Sequence, residues 1–281
     1  MSVERTVQLP HGTAVPVLGQ GTWYMGEGLQ DRGMERDALR AGLDLGMTLI
    51  DTAEMYGNGA AEELVGEAVS GRRDETYLVS KVLPFNASRK GTVEACHGSL
   101  RRLGTDRIDL YLLHWPGPHP LEETVEAFES LVQRGDIGAW GVSNFDVDDL
   151  TRLPPSALNS AGLQVNQILY NLTRRGPEFD LLPWLRQHRI TPIAYSPIEQ
   201  GRLLSHDAVT TVADSHAASP AQIALAWVLR HPGLVAIPKS GRPEHVRQNH
   251  AALRIELSEA DLDLLDAAFA PPTAPVPLEI L

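Results

Sequence analysis

Cysteine occurs only once in this 281-residue chain, at Cys96. An intrachain disulfide and a thiolate metal cage are therefore excluded, and Cys96 reads as inert helix packing. Long apolar runs are missing too, and the opening residues MSVERTVQLP lack the hydrophobic core of a secretion signal. The expectation is a cytoplasmic protein without a membrane partner. Basic residues are in the minority, 24 Lys and Arg against 36 Asp and Glu, for a net charge of -12. That balance argues against a nucleic-acid partner. Phosphate-loop signatures are incomplete: Gly19-Gln20-Gly21 and Gly57-Asn58-Gly59 begin a G-x-G-x-x-G pattern and lack its third glycine, and no Walker-type lysine loop occurs. Nothing requires a second copy, so a monomer is expected.

What is present is alternation. Hydrophobic residues make up 43% of the chain, enough to bury a large core. Short β-type runs at Thr6–Leu9 and Val15–Leu18 flank Pro10-His11-Gly12-Thr13 and predict an N-terminal hairpin. The second run continues into Gly19–Tyr24, the expected first strand end and its loop. Seven further strand-like runs follow, near Thr48–Ile50, Thr76–Ser80, Ile108–Leu113, Ala139–Val142, Leu163–Asn166, Thr191–Ala194 and Leu234–Ile237, with helical patterns between them. Some helices carry their own punctuation. Leu121–Arg134 is amphipathic and stops at Gly135, a natural left-handed terminator, while Ser219-Pro220-Ala221-Gln222 and Ser258-Glu259-Ala260-Asp261 read as helix starts. Strand plus helix repeats at roughly 30 residues, the size of a βαβ unit. Eight such units in one domain spanning residues 1–281 predict a parallel (β/α)8 barrel with an N-terminal hairpin and a short C-terminal tail.

In such a barrel all strand C-termini open on one face, where function sits. Those ends are Thr22-Trp23, Asp51, Lys81, His114-Trp115, Ser143-Asn144, Gln167, Tyr195-Ser196 and Lys239-Ser240. Taken singly, each has a plain structural reading: Asp51 as a loop cap, Lys81 as a solvated end, His114 as a core histidine, Ser143-Asn144 as the lead-in to a helix. Eight polar or aromatic ends in succession point instead to a site. Its chemistry is restricted. No His-x-His or His-x-x-x-His pair lies at these ends, so no metal is expected. A glycosidase needs two strand-end carboxylates, and only Asp51 qualifies clearly. A Schiff-base aldolase working through Lys81 remains a competing reading, although it leaves the tyrosine and the aromatic-amide set unexplained.

At these residues the chain resembles the aldo-keto reductase family over essentially its whole length, through GQGTWYMG, LIDTAEMYGNG, VSKV, SLRRLGTDRIDLYLLHWPG, GVSNF, QVNQILYN, AYSPIEQGRL and IPKSGRPEHVRQNHA. It is most similar to small bacterial members that act on methylglyoxal and related aldehydes. The resemblance implies an NADPH-dependent reductase of small carbonyl compounds with a catalytic tetrad of Asp51, Tyr56, Lys81 and His114. Tyr56 would donate the proton, Lys81 would lower the tyrosine pKa, Asp51 would anchor Lys81, and His114 would orient the carbonyl oxygen.

For the cofactor, the resemblance assigns Ser143, Asn144 and Gln167 to the nicotinamide carboxamide and Tyr195 to its ring. It places Ser196, Gln200, Gly201 and Leu203 along the pyrophosphate, and Lys239, Ser240, Arg242, His245, Gln248 and Asn249 at the adenosine end. His245 stands where relatives often carry an arginine, with Arg242 and Arg247 nearby. Trp23, Tyr24, Phe85 and Trp115 are the expected substrate walls. Because the chain ends in the short tail PPTAPVPLEIL, an open pocket is expected. The same fold also serves as a nucleotide-sensing regulatory subunit of potassium channels, the alternative from a different functional class.

Overall fold

The computed structural model describes residues 5–159 and 162–281. An antiparallel hairpin, β1 (Thr6–Gln8) and β2 (Ala14–Pro16), pairs Val7 with Val15. The backbone N–H and ring Nδ1 of His11, in its turn, both approach Gln164 Oε1 at the start of a barrel strand, which places the hairpin at the bottom of the barrel. The expected Val15–Leu18 run divides: its first half stays in the hairpin, and the barrel begins at β3 (Gln20–Gly21).

The chain then alternates α1 (Arg32–Asp44), β4 (Leu49–Asp51), α2 (Ala60–Val69), β5 (Tyr77–Val82), α3 (Arg89–Leu103), β6 (Ile108–Leu113), α4 (Leu121–Arg134), β7 (Ile137–Ser143), α5 (Val147–Thr151), β8 (Leu163–Leu169), α6 (Leu181–Gln187) and β9 (Thr191–Tyr195). Two helices, α7 (Asp207–Ser215) and α8 (Pro220–Val228), precede β10 (Val235–Ile237), and α9 (Pro243–Ala251) and α10 (Glu259–Ala268) complete the set. Strands β3 to β10 form one eight-stranded parallel sheet in sequence order. Parallel bridges Leu18–Ala236 and Gly21–Lys239 join its two edges, with Gly19 N donating to Ala236 O at 2.8 Å, so the sheet closes into the predicted barrel.

Local chemistry explains most of the boundaries. Gly135 ends α4 with φ +79°, and Ser219 and Ser258 open α8 and α10 through reciprocal capping boxes, as their sequences predict. The β7–β8 connection carries only the five-residue α5, because Pro154 and Pro155 follow shortly after it and remove the N–H groups that a longer helix needs. Between sheet and helices, Phe128 of α4 packs edge-on to Tyr111 and stacks on Trp140, with all three almost wholly buried. Burial of strands on both faces accounts for their nearly continuous apolar runs.

Candidate active site

The C-terminal strand ends bring Asp51, Lys81 and His114 together beneath the loop that carries Tyr56. Lys81 is fully buried at the end of β5, and its Nζ donates to Asp51 Oδ2 (2.8 Å), Thr52 O (2.8 Å) and Tyr56 Oη (3.2 Å). Three acceptors match the three N–H groups of an ammonium. Asp51 accepts a second hydrogen bond on Oδ1 from Gln167 Nε2 at 2.6 Å. Tyr56 and His114 meet edge to face, ring centroids 5.8 Å apart.

The Tyr56 loop needs its glycines. Gly57, Asn58 and Gly59 have φ of +55°, +53° and +94°, and a Cβ on Gly59 would lie 2.4 Å from Cδ of Arg102. That tight left-handed turn delivers Tyr56 back over Lys81 and then starts α2.

The electrostatics follow from burial. Desolvation pushes Asp51 up, opposed by the charge and hydrogen bond of Lys81 and the hydrogen bond from Gln167; it pushes Lys81 down, opposed by Asp51. Burial and the charge of Asp51 raise Tyr56 well above the ordinary phenol value. This corrects the expectation of a lowered tyrosine pKa: burial dominates, and Asp51, 2.8 Å from the ammonium, opposes the field of Lys81 on the phenol. His114 is held well below 6.5 by burial and by Lys81, so its imidazole is neutral at neutral pH. Its Nδ1 is enclosed without a hydrogen-bond partner among the described residues. An orphaned buried lone pair is tolerated more readily than an orphaned N–H, so we assign the ring proton to Nε2.

Beside this cluster Ser143, Asn144, Gln167 and Tyr195 form a connected wall. Ser143 Oγ donates to Gln167 O, Asn144 Nδ2 donates to His114 O and Ser143 Oγ, and Tyr195 Oη donates to Asn144 Oδ1 at 2.9 Å. A pocket of ≈ 240 Å³ is lined by these four residues with Trp23, Met55, Tyr56, His114, Trp115, Ile280 and Leu281.

Two expected substrate walls are corrected. Phe85 is 74% exposed and lies off the pocket, and Tyr24 stacks outward on Trp23 without lining it. Their places are taken by Met55, adjacent to Tyr56, and by the C-terminal tail, for which no local signal exists. The expected openness is likewise replaced by a tail folded over the pocket.

A second groove of ≈ 600 Å³ lies beyond the loop after β9, lined by Lys239, Ser240, Arg242, His245, Gln248 and Asn249 together with Gln30, Ile198, Leu204 and the start of α8. Ser196, Gln200 and Gly201 lie between pocket and groove, all with positive φ. Leu203 turns into the core, 3% exposed, and Leu204 lines the groove in its stead. Arg247 is exposed and does not line the groove. Among the described residues, neither Lys239 nor Arg242 has a carboxylate partner, despite the acidic balance of the chain. Among those residues, too, no group of three His, Cys, Asp or Glu is arranged to hold a metal ion, and no helix is long and apolar enough to cross a membrane.

Residues 17–270 match the pattern of the aldo/keto reductase family. The chain is 48% identical to methylglyoxal reductase YeaE of Escherichia coli, with 99% of each chain covered, and 36% identical to glyoxal reductase of Bacillus subtilis, covering 95% of this chain and 93% of that one. Its fold superposes with a TM-score of 0.95 on an aldo/keto reductase from Klebsiella pneumoniae crystallised with NADP and acetate, at 49% identity, covering 99% of this chain and 100% of that one. With the eight strand ends assembled on one face and likeness running through almost the entire sequence, this chain belongs to the aldo/keto reductase family of oxidoreductases.

Proposed function

We propose that this protein reduces small aldehydes and dicarbonyls of the methylglyoxal type to alcohols, using NADPH and taking the proton from Tyr56. The observation that carries the reading is the buried Asp51–Lys81–Tyr56 chain of hydrogen bonds facing a pocket of ≈ 240 Å³. Such a volume suits a small carbonyl compound. Trp23, Trp115, Ile280 and Leu281 give the pocket apolar walls beside the reacting oxygen. The names of the Escherichia coli and Bacillus subtilis relatives point to the same substrates.

The residues present fit a phosphorylated dinucleotide. Because Asp51 only accepts, the Gln167 amide is turned with Nε2 toward it, which leaves Oε1 to accept from a carboxamide NH2. Tyr195 offers a flat face beside it. The groove at the far end of the loop supplies Lys239 and Arg242, two cations without carboxylate partners among the described residues and suited to a 2′-phosphate. When bound, the cofactor supplies a hydride to the carbonyl carbon.

The protein's part is to manage the charge that then grows on oxygen. Tyr56 enters with its proton on, since burial and Asp51 disfavour the phenolate. It gives that proton to the substrate oxygen, and the Lys81 ammonium at 3.2 Å stabilises the phenolate left behind. Neutral His114, with its proton on Nε2, donates a hydrogen bond to the same oxygen and fixes the carbonyl's orientation. Asp51 holds the ammonium in place.

The test is NADPH oxidation against methylglyoxal, glyoxal and aromatic aldehydes, with Tyr56→Phe in parallel. Turnover of the small dicarbonyls and a fall of about 1,000-fold in kcat for Tyr56→Phe are expected. An active Tyr56→Phe refutes the mechanism. A wild-type protein that binds NADPH and turns over nothing refutes the enzyme reading in favour of a nucleotide-sensing subunit.

A further inference from the structure

The C-terminal tail is tied down at successive points. Val276 packs over Gly176, and Leu278 N–H donates to Asp146 Oδ2, the acid that caps α5, at 3.0 Å. Glu279 pairs with Arg174, and Leu281 N–H reaches Tyr195 Oη at 3.4 Å, so that Ile280 and Leu281 stand in the wall of the pocket. Among these anchors, Arg174 also holds a second carboxylate, on the loop after β9. Its Nε and Nη2 both hold Oε1 of Glu199, at 3.3 and 3.1 Å.

Glu199 belongs to the loop between pocket and groove, the path assigned to the pyrophosphate. That loop is strained, with Ser196, Glu199 and Gln200 at φ of +47°, +48° and +53°. The Glu199 side chain is only 4% exposed and also accepts from Asn171 Nδ2 at 2.7 Å and Arg202 Nη2 at 2.7 Å. Glu199 is thus held by three donors, whereas Arg174 provides the only ion pair of Glu279 among the described residues. One guanidinium therefore spans two chain segments, one along the cofactor path and one over the substrate pocket.

We propose that Arg174 is a positioning residue that couples nucleotide binding to closure of the substrate pocket. Contacts to a bound nucleotide stiffen the Ser196–Arg202 loop and fix Glu199; fixed Glu199 holds Arg174, and Arg174 then offers Glu279 a preorganised partner. The tail is drawn over the pocket most firmly when the cofactor is in place. Linkage requires the reverse effect as well, so a secured tail tightens nucleotide binding by the same factor. The proposal rests on the nucleotide lying along that loop, as proposed above.

The test follows hydrogen exchange of the tail amides at 276 and 278–281 in the full-length protein, with and without saturating NADP+, in wild type, Glu279→Gln and Arg174→Lys. NADP+ affinity is measured on the same samples by quenching of protein fluorescence. In wild type NADP+ should slow exchange of these amides by about five-fold, the lower end of common coupling strengths because the ion pair is half-exposed. Glu279→Gln, on the exposed end of the link, should fold normally, lose that slowing, bind NADP+ more weakly by the same factor and raise KM for methylglyoxal with little change in kcat. Arg174→Lys cannot span both carboxylates with one point charge and should behave likewise. Tail exchange indifferent to NADP+ in wild type, or slowing that persists in Glu279→Gln, overturns the coupling while leaving the reductase reading intact. Absence of quenching by NADP+ in wild type removes the functional reading and the coupling with it.

Discussion

Replacing Lys81 by methionine tests the centre of the site through stability and rate together. Lys81 and Asp51 are 0% and 3% exposed, 2.8 Å apart. Methionine approximates the lysine stem but leaves Asp51 with only the hydrogen bond from Gln167, and Thr52 O with no ammonium to accept from. Breaking one side of a buried pair costs about 3–5 kcal/mol, roughly 10 °C in Tm for a chain of this size. Asp51, already raised above 3.8 by burial, rises further without the cation. A group whose folded pKa lies above its unfolded value favours folding only while protonated. The deficit of Lys81→Met relative to wild type should therefore be largest near pH 8 and shrink as the pH falls toward the ordinary aspartate range.

The double variant Asp51→Asn/Lys81→Met removes both charges and keeps an acceptor for Gln167, so it should recover most of the lost stability at neutral pH. It should not recover activity, because the phenolate of Tyr56 would still lack its cation, a loss of about 100- to 1,000-fold in kcat. Denaturant unfolding by circular dichroism and NADPH oxidation on the same preparations separate the two effects. A single variant as stable as wild type, or a double variant no better than the single, would show that the pair is not a matched buried ion pair.

Three further outcomes are expected. With His114 held neutral by burial and Lys81, kcat/KM for methylglyoxal should show no titration near pH 6.5; an inflection there in the wild type that disappears in His114→Gln would contradict the assignment. Burial opposes ionisation of Glu178, but His231 nearby at 3.8 Å and hydrogen bonds from Arg175 and Tyr170 outweigh it and hold the carboxyl to about 2, so Glu178→Gln should destabilise the protein at pH 7 and progressively less as the pH falls from 4.5 toward 2, as read from urea midpoints across that range. Lys239→Ala should raise KM for NADPH about ten-fold and leave KM for NADH nearly unchanged; an equal effect on both would remove the 2′-phosphate assignment.

Caps and strand ends were legible in the chain because their causes are local. Gly135 terminates α4, and Ser219 and Ser258 open their helices, through chemistry contained within a few residues. Recognising a parallel barrel was then enough to gather Asp51, Lys81, His114, Asn144, Gln167 and Tyr195, since such a barrel turns all its strand ends one way. The truncated α5 was legible in principle from Pro154-Pro155, but the regular alternation masked it.

The exchange of Phe85 and Tyr24 for Met55 had no such signal, because which aromatic in a loop turns inward is decided by packing from other elements. The direction of the Tyr56 shift also escaped the sequence, since it depends on complete desolvation and on how closely Asp51 neutralises Lys81. By itself, then, the amino-acid sequence determined the barrel, its active face and the residue types that meet there, all consequences of periodicity and local caps. Only the tertiary structure decided that Gln167 grips Asp51 across 116 residues of chain, and that a tail of ordinary composition returns across Arg174 to wall the pocket. Both are contacts between distant segments, set by where the closed barrel brings them and written in no local pattern.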